Sequence, residues 1–169
     1  LSGSIPEAIL DYQMNGRLPH PQGNRDAHNA PHGAYRCKGA DRWVAIAVTD
    51  DGEWQSLCRV MDRRDLGGDT TLAHADVRLK RQDELDEAVT AGTKGLEDDE
   101  AMHLLQEAGV PAGQSLDVCR VFHDPHLRET GFFSQLQTSD GETHDLPGLG
   151  WRFDDGTEDN VRAAPTLGQ

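Results

Sequence analysis

Eight histidines, 30 acidic side chains and three cysteines are the groups of this 169-residue chain able to take part in acid–base, nucleophilic or metal chemistry. Two imidazoles and a carboxamide gather in one short run, DAHNAPHG at 26–33, as His28, Asn29 and His32. Imidazole and carboxamide groups can both donate and accept hydrogen bonds, so the run is a candidate for contact with a ligand. His28 with His32, His123 with His126, and His103 beside acidic residues also raise the question of a metal. A metal centre needs three or four converging ligands. No cysteine or second cluster falls at a telling distance from any of these histidines, and no metal ligand is assigned.

Cys37, Cys58 and Cys119 are odd in number, widely spaced and without a CxxC, which argues against a disulfide framework and against a zinc site. They point to a reducing, cytoplasmic compartment. The 30 acidic against 16 basic residues give a formal charge of −14, which repels polyanions and excludes nucleic acid as a partner. The acidity reads as a solvated surface that favours solubility. The start, LSGSIPEAIL, lacks the basic and apolar regions of a secretory leader, and no stretch approaches the roughly 18 apolar residues of a membrane span.

The elements that must position these groups follow from periodicity and turn residues. One hydrophobic core fits the length and the 36% apolar content. Ser4 as a cap, Pro6 and Glu7 in a first turn and Asn15-Gly16 as a stop predict a helix over 1–16, and three prolines predict an extended loop over 17–32. Two strands, 34–38 and 42–49, flank a Gly39-Ala40-Asp41 turn, and the apolar run Trp43–Val48 reads as a strand buried on both faces. Trp54, Leu57, Cys58 and Met61 fall at helical spacing behind an acidic first turn. After a loop at 65–71, one helix is expected over 76–93 with Leu79, Leu85, Ala88 and Val89 inward. A second, 98–108, carries Met102, Leu105 and Ala108, with Gly109 ending it. Beyond that come a strand near 115–118, a helical turn at 118–122, Asp124 and Pro125 opening a further turn, and a strand at 131–137. An extended arm completes the chain. The expected architecture is α+β, a small antiparallel sheet covered by helices. It divides into an N-terminal helix and loop (1–33), a small domain (34–130) and a C-terminal arm (131–169).

The tags GNR (23–25), APHG (30–33), Tyr35, DRWVAIAV (41–48), Trp54, AGVPAG (108–113), DPHL (124–127), GFF (131–133) and APTLGQ (164–169) occur in collinear order. Together they resemble the class III CoA-transferases, the CaiB/BaiF family, over nearly the whole chain. Members of that family are more than twice this length, and the resemblance covers their small domain and later portion. It implies CoA transfer between carboxylic acids through an aspartyl-CoA intermediate, a route in which a carboxylate acts as nucleophile. The motif of that aspartate is absent from this chain, so no catalytic residue is assigned and the chain alone is expected to be inactive.

By the same resemblance, the loop before β-strand 34–38 faces the CoA site, which makes His28, Asn29, His32 and Gly33 the substrate-binding candidates. In relatives that transfer formyl-CoA the loop matching 26–31 is glycine-rich and closes over the thioester. Here it reads DAHNAP, and the departure points away from an oxalate or formate substrate. Acyl-CoA and a carboxylic acid are the implied substrates, no cofactor is bound tightly, and the family's interlocked pairs imply a homodimer. Acyl-CoA racemases share the wider fold, and a free-standing acyl-binding or partner-binding module is the alternative reading.

Overall fold

The computed structural model describes residues 6–18, 20–138 and 141–148. The described residues divide between Ser115 and Leu116 into two compact units. The first opens with helix α1 (Pro6–Asn15), stopped by Gly16, whose N–H donates to the Tyr12 carbonyl at 2.9 Å. Ser4, the expected cap, lies outside the described residues. No residue of α1 is buried, and Ile9, Leu10, Tyr12 and Met14 are exposed.

Three antiparallel strands follow, β1 (His32–Arg36), β2 (Trp43–Ala47) and β3 (Ala112–Gln114), with β2 in the centre. The β1–β2 turn closes with Cys37 N–H on the Arg42 carbonyl at 2.8 Å, and Gly39 adopts φ +102°, open to glycine because it has no Cβ. The expected two-sided burial of 43–48 is corrected here. Val44 and Ile46 are buried while Ala45 between them is exposed, the alternation of a strand with helices on one face only.

That covering layer contains α2 (Asp51–Val60), α5 (Gln82–Thr93) and α6 (Asp98–Glu107); α5 packs on β1, and α6 on β2 and β3. Asp50 caps α2 in a reciprocal box with Glu53: the Asp50 carboxylate accepts from Glu53 N–H at 2.8 Å, and Glu53 accepts from Asp50 N–H at 3.3 Å. Trp54, Leu57, Leu85, Val89 and Leu105 fill the core with Val44 and Ile46.

Two expectations give way between α2 and α5. The segment at 65–71 is not a loop, for it holds α3 (Arg64–Gly67) and the start of a 3₁₀ turn, Thr70–Ala73, capped by Asp69. The single helix 76–93 is two, α4 (Ala75–Lys80) and α5, broken at Arg81. There the guanidinium spans Asp69 at 2.7 Å and Glu84 at 2.9 and 2.7 Å. With the break, Arg78 takes a fully buried position and Leu79 is only half-buried.

The second unit contains α7 (Val118–His123), α8 (Pro125–Glu129) and a hairpin of β4 (Phe133–Gln137) with β5 (Thr143–Pro147). The strand expected at 115–118 lies earlier, at β3. Asp124 caps α8 as expected, accepting from Leu127 N–H at 2.8 Å with Pro125 in the first turn. Part of the expected extended arm is therefore a hairpin strand, paired residue for residue from Phe133–Pro147 to Gln137–Thr143. Arg128 stacks on Phe122 and Phe133, 4.2 and 4.5 Å from the ring centroids, and pairs with Asp145. No described helix is long and apolar enough to cross a membrane.

Candidate functional site

Strand periodicity decides which side chains leave the core at the start of β1. His32 and Ala34 pair with Ala47 and Ala45 on the open face of the sheet, whereas Gly33 and Tyr35 stand on the helix side with Ile46 and Val44. Tyr35 crosses to α5, where its hydroxyl donates to Asp86 Oδ1 at 2.8 Å. Burial, and then the Asp86 bond, push the Tyr35 phenol far above its ordinary range, so it is a donor at any physiological pH. Gly33 accommodates that path. A Cβ there would meet the Tyr35 ring at 3.3 Å.

The other oxygen of Asp86 accepts from Arg25, at 3.2 Å from Nε and 2.8 Å from Nη2, and Arg25 also pairs with Asp83. The GNR tag is thus fastened to α5, and the strand to the same carboxylate. Between these residues lies a cleft of about 250 Å³ lined by Gln22, Asn24, Arg25, His32, Tyr35 and Asp86 among others. A neighbouring hollow of about 360 Å³ shares Asn24, Arg25 and His32 and reaches Ala45 on the open face of β2.

His32 Nδ1 lies 2.7 Å from the Asn24 carbonyl oxygen, which can only accept. The proton therefore sits on Nδ1, and in the neutral ring Nε2 is the acceptor. The loop leading to it holds its shape without glycine. Asp26 Oδ1 accepts from His28 N–H at 2.8 Å and Asn29 N–H at 2.9 Å, an Asx turn. Those bonds, the His28 one foremost, hold the Asp26 carboxyl below its usual range. Farther along, the Ala30 carbonyl accepts from buried Arg78 Nε at 2.8 Å, and the Pro31 carbonyl from Val48 N–H at 2.9 Å.

Of the four binding candidates, the structure brings His32 and Gly33 to the cleft. His28 is exposed and Asn29 half-buried, neither of them among the cleft's lining residues. Arg25 and Asp86 at the cleft, and Arg78 behind the loop, are the residues that sequence reading did not single out. Arg25 was visible only as part of the GNR tag. The other two look like ordinary charges on helical faces, with no local signal of their partners. Chemically the cleft offers hydrogen-bond donors and acceptors. Its one carboxylate, Asp86, is committed to Arg25 and Tyr35 and so is not placed to attack. Among the described residues no three His, Cys, Asp or Glu side chains converge as a metal would require.

Residues 4–169 match the family model for CoA-transferase family III. The chain belongs to CoA-transferase family III. Among curated members, the succinyl-CoA:mesaconate CoA-transferase of Haloarcula hispanica is 30% identical over 121 residues, 72% of this chain and 29% of the relative. The succinate–glutarate CoA-transferase of Agrobacterium fabrum is 24% identical over 148 residues, 88% of this chain and 36% of the relative. A CaiB/BaiF family protein of Brucella suis superposes with a TM-score of 0.75 at 25% identity, covering 92% of this chain and 39% of that one. This family III chain thus spans about a third of the length of these relatives.

Proposed function

We propose that this chain forms the small-domain portion of an enzyme that moves CoA between two carboxylic acids through an aspartyl-CoA intermediate. In this reading the nucleophilic aspartate belongs to a part of the enzyme outside these residues. The chain supplies binding contacts to the acyl-CoA through the loop 26–33. The observation that carries it is the match to the family model along residues 4–169, a span about a third as long as the family's curated enzymes. The cleft supports it. It contains an oriented imidazole and fixed backbone, and its carboxylate is already bound. Dicarboxylic acids are the proposed substrate class, from the printed names of the Haloarcula and Agrobacterium relatives. We place the enzyme in the cytoplasm, where its three free cysteines stay reduced.

A homodimer is proposed as well, with the exposed apolar residues of α1 buried by assembly. The test of the catalytic reading is to replace the matching segment of a family III transferase with residues 4–169. The hybrid is expected to transfer CoA between dicarboxylic acids, and the chain alone to show no turnover. Turnover by the chain alone would contradict this reading, and light scattering that reports a monomer at micromolar concentration would contradict the dimer.

A further inference from the structure

Arg78, 1% exposed and outside the cleft, is a buried charge in the first unit. Its Nη1 donates to three oxygens, Asp51 Oδ1 at 2.8 Å and the carbonyls of Leu72 and Ala73 at 2.9 and 3.0 Å, and its Cζ lies 5.8 Å from the centroid of the Trp54 ring. Those contacts explain how the charge is tolerated in the core. Nε does something else. It reaches 48 residues back in sequence to the Ala30 carbonyl, at 2.8 Å.

That carbonyl stands at the end of the loop 26–30 and two residues before His32. On its other side Asp26 holds the turn through His28 and Asn29, and the next carbonyl, Pro31, is taken by Val48. The segment before β1 is therefore pinned at three successive points, and only the Arg78 pin comes from a side chain inside the core. An arginine suits this place because its planar fork serves divergent acceptors at once, whereas a lysine ammonium at the end of a flexible stem serves them poorly.

We propose that Arg78 is a positioning residue for the candidate site: by fixing the Ala30 carbonyl from within the core it sets the backbone that carries His32, and with it the imidazole's bond to Asn24, without touching substrate. The functional half of this proposal rests on the reading of the loop as an acyl-CoA contact. The loop is accordingly a fixed platform.

The experiment follows the His32 ring nitrogens by ¹⁵N NMR in the full chain, at about pH 8. It compares the wild type with Arg78→Lys and Asp51→Asn. The wild type is expected to show the Nδ1–H tautomer, and Arg78→Lys to lose it. The His28 and Asn29 amides should exchange about tenfold faster in Arg78→Lys, with those of Leu85 and Val89 in α5 within about twofold. Asp51→Asn removes an exposed carboxylate, keeps the fold, and should move the same signals less. It decides the matter if Arg78→Lys fails to fold. Unchanged loop signals in the folded variants, or loop and α5 loosened together, would overturn the proposal. The same substitution in the hybrid transferase separates the two readings: kcat should fall about tenfold or more with the displaced imidazole. A displaced imidazole with unchanged kcat would instead overturn the loop's assignment to the acyl-CoA site.

Discussion

Two arginines hold the segment that leads into β1, one near its start and one near its end, and they do so in opposite surroundings. Arg25 pairs with Asp83 and Asp86 at the surface, its side chain 42% exposed. Arg78 is 1% exposed and donates to carbonyls that have no access to water in its place. The same functional group thus does different work. An exposed ion pair gains little, because water and salt screen it and two long side chains lose freedom. A buried guanidinium contributes through its absence: remove it, and several desolvated oxygens are left unsatisfied.

Breaking the buried tie should give the largest effect. Arg78→Met is expected to lower stability by about 3–5 kcal/mol, read from the urea midpoint, since it orphans the buried Ala30 and Leu72 carbonyls. Such a loss is a large part of the roughly 5–15 kcal/mol that holds an ordinary domain together. Ile46→Ala empties a buried site on the central strand and should cost about 2–4 kcal/mol by the same measurement. If Arg78→Met costs less than Ile46→Ala, the claim that the buried arginine is the stronger anchor fails.

The sequence made the second of these positions plain and hid the first. Strand, hairpin and α2 were legible because apolar spacing, the turn at 39–41 and the acidic first turn all act within a few residues. Gly109, at φ +82° after α6, was legible for the same local reason. Arg78 was not, because what buries it is an oxygen 48 residues away and a helix break at Arg81 set by long-range ion pairing. One-sided burial of β2 escaped too, since Ala45 is apolar whether or not a helix covers it. The hairpin partner β5 reads THDLP, with no alternation to mark it.

For the candidate site the division is similar. His32 and Gly33 could be picked from the loop's composition and family tags. That Asp86 would bind both Arg25 and Tyr35 could not, because the pairing depends on where α5 crosses β1.

Smaller effects sharpen the contrast between the two ties. Asp26→Ala removes the turn's acceptor and should cost about 1 kcal/mol, as lost caps do, while loosening the His28 and Asn29 amides in hydrogen exchange. The pH dependence has a definite sign. The Asp26 carboxyl is held low in the fold, so its contribution is present above the unfolded value near 3.9 and is lost as pH falls through the folded one. The loop amides should therefore be steady from neutral pH down to about 4 and loosen below it. Last comes Arg25→Ala, expected to change stability by less than about 1 kcal/mol and by still less in high salt, as measured by thermal melts. A cost equal to that of Arg78→Met would erase the distinction between surface and buried ties.

The central claim is that the loop 26–33 serves the acyl-CoA site of a CoA-transferase. Its most direct test is CoA transfer by the hybrid enzyme carrying His28→Ala, Asn29→Ala or His32→Ala, measured beside each variant's melting temperature. These positions lie outside the core, so each melt should stay within about 0.5 kcal/mol of the parent. His32→Ala, which removes the one imidazole lining the cleft, is predicted to lose the most activity while still folding normally. Full activity in all three variants would contradict the account, and so would a loss of activity matched by an equal loss of stability.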